Sequence, residues 1–149
     1  MRLRRQFSGQ DIIEFALILP FILILIMGIF DLGRITFLYS TITNISREGA
    51  RYGVVNQCDT AGVKAAAMGK AIGIDLDPDE DFTITWNPPD CSYPNPPGSG
   101  TVIVSVDFKF IPMTPFVAEI LTATNCALPD GTEVKCIPLN GTTTMYLEL

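Results

Sequence analysis

Hydrophobic and polar positions are unevenly distributed along this chain. From Phe15 to Phe30 every residue is apolar or small and none is charged. As a helix this run rises about 24 Å, a little less than the ~30 Å of bilayer hydrocarbon, so its flanks must contribute to any crossing. Beyond the run the pattern changes register. Ile35, Leu38, Ile42, Ile45, Gly49 and Tyr52 recur at alternating steps of three and four, while Thr36, Ser40, Thr43, Asn44, Arg47, Glu48 and Arg51 fall largely elsewhere. The spacing predicts one helix from about residue 11 to about 54, uniformly apolar below and amphipathic above.

Shorter elements follow. Gly62–Ile72 is alanine-rich, with Val63, Ala66, Ala67, Met68 and Ala71 apolar, and reads as a second helix packed closely on the first. Phe82–Trp86 alternates, Val102, Val104, Val106, Phe108 and Phe110 share one face of a strand, and Gly141–Leu149 holds a third strand candidate around Thr144–Leu147. Pro112–Leu121 carries Phe116, Val117, Ile120 and Leu121, the makings of a short helix or apolar lid. Asn87–Gly100 contains five prolines and Cys91 and reads as an exposed loop tied by its cysteine, with Tyr93 and Pro94 as its contact candidates. The fold class expected is α+β: a long N-terminal hydrophobic α-helix packed on a small antiparallel β-sheet.

Charge gives the long helix a direction. Arg2, Arg4 and Arg5 precede the apolar run with no acid among the first nine residues, so the N-terminus faces the cytoplasm and the bulk is translocated. Phe37 and Tyr39 are placed to anchor the outer interface. No small-residue cleavage pattern follows Phe30, where Asp31, Leu32, Gly33 and Arg34 stand instead, so the helix is retained after export. The net charge is −6, and without the three leader arginines seven bases remain against sixteen acids. Such a surface repels phosphate backbones, which argues against nucleic acid as a partner.

The chain has no histidine, and it shows no nucleophile pair or phosphate loop, so neither an enzyme nor a cofactor is expected. Cys58, Cys91, Cys126 and Cys136 lack C-x-x-C spacing. Two disulfides in an exported domain fit them better than zinc. Of three possible pairings, Cys126 with Cys136 closes the short loop around Pro129, Asp130 and Gly131, leaving Cys58 for Cys91. Asp75, Asp77 and Asp79 match the opening of a calcium loop, but Glu80 and Trp86 stand where such a loop needs Gly and Glu. A solvated acidic turn is expected there, with calcium the weaker candidate.

Three features of the helix call for an explanation. Glu14 lies at the edge of the apolar run, where a mid-bilayer charge would cost roughly 2.5–3.5 kcal/mol. Pro20 removes a backbone hydrogen bond within it. Asp31 and Arg34, three apart, are spaced to pair at the outer membrane boundary.

Arg4-Arg5-Gln6-Phe7-Ser8-Gly9 followed by Gln10-Asp11-Ile12-Ile13-Glu14-Phe15 resembles the processing site of type IV prepilins. More narrowly, Gly9-Gln10, Glu14-Phe15-Ala16, Leu19-Pro20, Gly28 to Arg34 and Arg47 to Tyr52 resemble the TadE-like branch of pilins and pseudopilins. The resemblance covers about the first third of the chain. It implies a basic leader at 1–9, cut by a prepilin peptidase between Gly9 and Gln10. A long helix follows at 10–55, with an apolar membrane or filament-core half at 12–33 and an amphipathic half at 34–55, and residues 56–149 form an extracellular domain. It implies too that Glu14 neutralises the new amine of a neighbouring subunit, with Phe15 and Pro20 in the assembling surface. The chain would start in the inner membrane and end in a surface filament, with other copies or related pilins as partners. The competing reading is a monomeric signal-anchored cell-surface binding module, in which the same helix is only a tether.

Overall fold

The computed structural model describes residues 9–89, 100–121, 123–128 and 131–147. Of the expected leader only Gly9 falls among them, and Cys91, Tyr93, Pro94, Pro129 and Asp130 lie outside.

The long helix is present as α1 (Gly9–Val55), 47 residues that continue unbroken through Pro20. At 1.5 Å per residue it is about 70 Å long. Every buried residue of α1 lies at Asp31 or beyond, so the lower half contributes nothing to the core. In the upper half Leu38, Ile42, Ile45 and Gly49 of the expected stripe are buried, and Ile35 and Tyr52 pack partly against the core.

A second helix, α2 (Thr60–Met68), starts where Asp59 accepts the Gly62 N–H at 2.9 Å, which satisfies one of the free donors of its first turn. It ends four residues before Ile72, the expected limit. The approach of α2 to α1 depends on small residues. A Cβ at Gly49 would lie 3.2 Å from Cβ of Ala67 and 3.4 Å from both Val63 and Val104.

The sheet has four strands where three were expected: β1 (Phe82–Asn87), β2 (Thr101–Phe110), β3 (Thr124–Ala127) and β4 (Glu133–Tyr146). Their order is β1-β2-β4-β3, with all neighbours antiparallel. A short helix, α3 (Pro115–Ile120), occupies the connection from β2 to β3. The C-terminal strand expected in Gly141–Leu149 is only the end of β4. That strand pairs with β3 through Glu133–Cys136 and with β2 through Ile137–Tyr146. Pro138 and Gly141 interrupt its sequence pattern, yet Gly141 has a packing reason to be there. A Cβ at that position would stand 2.6 Å from the Ile42 side chain and 3.1 Å from its backbone, so the helix lies directly on the strand.

The core forms between the upper half of α1, α2 and the inner face of β2 and β4. Ile42, Ile45, Val63, Val102, Val104 and Val106 are fully buried there. Burial of such side chains is worth roughly 1.5–3 kcal/mol each. One polar contact crosses the layer: the Ser46 hydroxyl lies 2.8 Å from that of Thr143 and donates to the Thr43 carbonyl at 3.0 Å. Both hydroxyls are thereby satisfied where helix and sheet meet.

Candidate functional site

The chain's unusual chemistry is distributed along α1. At its foot, Gln10, Ile13, Glu14 and Leu17 follow helical steps of three and four and line one shallow cleft. Gln10 and Glu14 share a face, about 6 Å apart along the axis. Glu14 is exposed and makes no hydrogen bond or ion pair among the described residues. Above it the helix presents bare apolar side chains on every side, among them Phe15 at 60% exposure, Phe21 at 69% and Phe30 at 67%. An apolar surface this continuous needs lipid or protein around it. By length and composition α1 can cross a membrane, and its most apolar window is entirely unburied by the rest of the chain. Such a helix suggests an N-terminal membrane anchor.

The lower edge of the domain is organised by Asp31, which is 1% exposed. Its carboxylate accepts the Thr114 hydroxyl at 2.7 Å, the Thr114 N–H at 2.9 Å and the Met113 N–H at 3.2 Å. Arg34 stands on the same oxygen as Met113 but at 3.8 Å, half exposed, with its guanidinium 5.2 Å from the centre of the Phe110 ring. The expected Asp31–Arg34 pair is therefore present, yet its distance makes it the weakest of the contacts to that carboxylate. Sequence spacing missed the stronger ones. Nothing in the local pattern at residue 31 refers to residues 113 and 114. The available signal was Thr114-Pro115, a helix-start pair whose Thr does not cap its own helix. The Thr114 hydroxyl bonds Asp31 instead, and so fastens the entry of α3 to α1.

Below that fastening, Val117, Ile120 and Leu121 face the α1 stretch from Phe21 to Leu32 across an apolar groove of about 360 Å³. The expected lid is thus a short helix held beside the membrane half of α1. Its one charged side chain, Glu119, is paired with Lys135 of β4.

The remaining candidates lie higher on the domain. Cys126 and Cys136 form the expected disulfide, with Cα atoms 5.9 Å apart, across the β3–β4 pair. Cys58 is also disulfide-bonded, and its expected partner Cys91 lies outside the described residues. Asp75, Asp77 and Asp79 lie in a turn between α2 and β1. Asp77 accepts the Asp79 N–H and Asp81 accepts the Asp77 N–H, each at 2.8 Å, while Asp79 pairs with Lys64 at 2.9 Å. Among the described residues no three such side chains converge as a metal site would require. At the head of α1 the Tyr52 hydroxyl donates to Asp59 at 3.0 Å, and this bond to a carboxylate pushes the phenol's pKa up.

In comparison with known proteins, residues 9–51 match the family model described as TadE-like protein. The match spans nearly all of α1 and stops before α2, and it is consistent with a pilin-type protein of that kind. No curated protein and no solved structure matches the chain.

Proposed function

We propose that this chain, TadE-like over residues 9–51, is a structural subunit, major or minor, of a type IV or Tad-like surface filament and assembles through α1. The observation that carries the reading is the lower half of α1. It is a bare apolar rod with two acids at its foot, Asp11 and Glu14, that have no partner among the described residues, and Glu14 lies at the edge of the uncharged run inside the stretch that matches the family model.

The subunit first sits in the inner membrane with its arginine-bearing leader on the cytoplasmic side. A prepilin peptidase then cuts between Gly9 and Gln10, which places a positive amine on the Glu14 face of the helix. Each lone charge is costly to carry into a filament core. The amine of one subunit set against Glu14 of the next converts two such costs into one compensated pair and fixes the axial register between copies. The folded domain remains outside, with its disulfides on the oxidising side of the membrane.

The test is substitution of Glu14 in cells that assemble the filament. With Glu14→Ala or Glu14→Gln, the sheared extracellular fraction should lose the protein by at least tenfold, a loss of about 1.4 kcal/mol or more in assembly free energy, while the membrane fraction keeps its full amount. Material from the unsubstituted chain should begin at Gln10 on N-terminal sequencing. Assembly at normal levels without the carboxylate would leave only the tethered binding module.

A further inference from the structure

We propose that the segment Ile111–Leu121 is a second lipid-contacting element, which enters the outer leaflet beside α1 and seats the domain partly within the membrane. The inference rests on the membrane seat of α1 described above.

Depth is the first argument. About 20 residues of helix span the hydrocarbon, so a span beginning at Ile12 reaches its outer boundary near Asp31. Groove residues such as Leu25 and Gly28 then lie roughly 5–9 Å below that boundary. Val117 and Leu121 stand across the groove from them and occupy the same layer. Interfacial helices settle to a depth of about 5–10 Å.

The surface of the segment suits that layer. Met113 is 78% exposed and Ile120 61%, and Ile111 and Leu121 are partly bare as well. Glu119 is drawn to Lys135 on β4. The resulting apolar surface is continuous with that of α1.

The backbone suits it too, because lipid leaves no water to satisfy free N–H groups. Pro112 and Pro115 have no such donor. The two amides between them, Met113 and Thr114, are both taken by Asp31. At the far end the Leu121 N–H bonds the Val117 carbonyl and the Ala123 N–H that of Ala118. Asp31 therefore acts as a buried acceptor for the two amides at the entry of α3.

The test places single tryptophans in the full-length chain reconstituted in phosphatidylcholine vesicles whose acyl chains are brominated at shallow or deep positions. Native Trp86 is a built-in reference, because it touches α1 at Gly53, 22 residues or about 33 Å above Asp31. Met113→Trp and Ile120→Trp, both at exposed positions, should add emission that shallow bromines quench more than deep ones, while the Trp86 signal is unchanged. Leu23→Trp, within the span, should be quenched by deep bromines. If Leu23→Trp is quenched and neither α3 probe is, the lipid contact is overturned and the anchor stands. If Leu23→Trp escapes quenching, the membrane seat fails and the inference falls with it. Blue-shifted α3 probes that escape bromine and shift back on dilution in lipid would show a second copy in the groove, and would also overturn it.

Discussion

Asp31 shows how one residue can hold together parts of a chain that are far apart in sequence. Its side chain lies at the boundary between a helix half outside the core and a helix half inside it, and it takes three hydrogen bonds from residues 82 and 83 positions away. Hydrogen bonds to a charged acceptor are individually strong, and a buried donor left without one costs the full desolvation penalty. Asp31→Ala should therefore destabilise the detergent-solubilised chain by about 3 kcal/mol, with the amides of Met113 and Thr114 losing protection from hydrogen exchange. Arg34→Ala should cost about 1 kcal/mol or less, since that ion pair is long and half exposed and only the contact with Phe110 adds to it. Equal losses in thermal unfolding of the two variants would mean that the ion pair, and not the cap on residues 113 and 114, secures the lower rim. The sequence shows Asp31 and Arg34 at pairing distance, but a carboxylate reports nothing of a distant amide.

Among the elements, long periodic ones were legible and short or interrupted ones were not. The stripe from Ile35 to Tyr52 identified the face of α1 that packs, because the same 3.6-residue period governs both the pattern and the burial. The alternation at Val102, Val104 and Val106 identified the inner face of β2 for the same reason. β3 was missed: its four residues, Thr124–Ala127, are mostly exposed and carry no apolar alternation. It is held instead by pairing with β4 and by the Cys126–Cys136 bridge, which connects diagonal positions of the ladder. A loop of that length stabilises by roughly 3 kcal/mol through the entropy it removes from the unfolded chain. The double variant Cys126→Ala, Cys136→Ala should lose stability of that order in a denaturant titration. Hydrogen exchange should then show β3 open while β1, β2 and the C-terminal part of β4 remain protected.

At the scale of the molecule, one helix serves two surroundings, and the division falls at a single residue. Everything α1 buries lies at Asp31 or beyond, so the domain does not depend on the lower half for its core. A chain beginning at Phe30 should fold with its sheet and α2 intact, as judged by circular dichroism and exchange protection. It should not float with membranes. A chain beginning at Gly33 lacks the acceptor for residues 113 and 114, and α3 should lose its protection first, at a melting temperature below that of the longer fragment. If the two fragments melt alike, the lower rim is not organised by Asp31.

The sequence alone determined the long helix, the change of its character near residue 31, and the closure of Cys126 on Cys136. It also singled out Glu14, at the edge of the uncharged run. These follow from period, charge and spacing, which are local properties of a chain. Only the tertiary structure decided that β4 runs through Pro138 and Gly141, that β3 joins the sheet, and that Asp31 binds the entry of α3 more closely than it binds Arg34. Each of these is a contact between distant segments, whose energy arises once burial and geometry bring the groups together, and no window of neighbouring residues contains it.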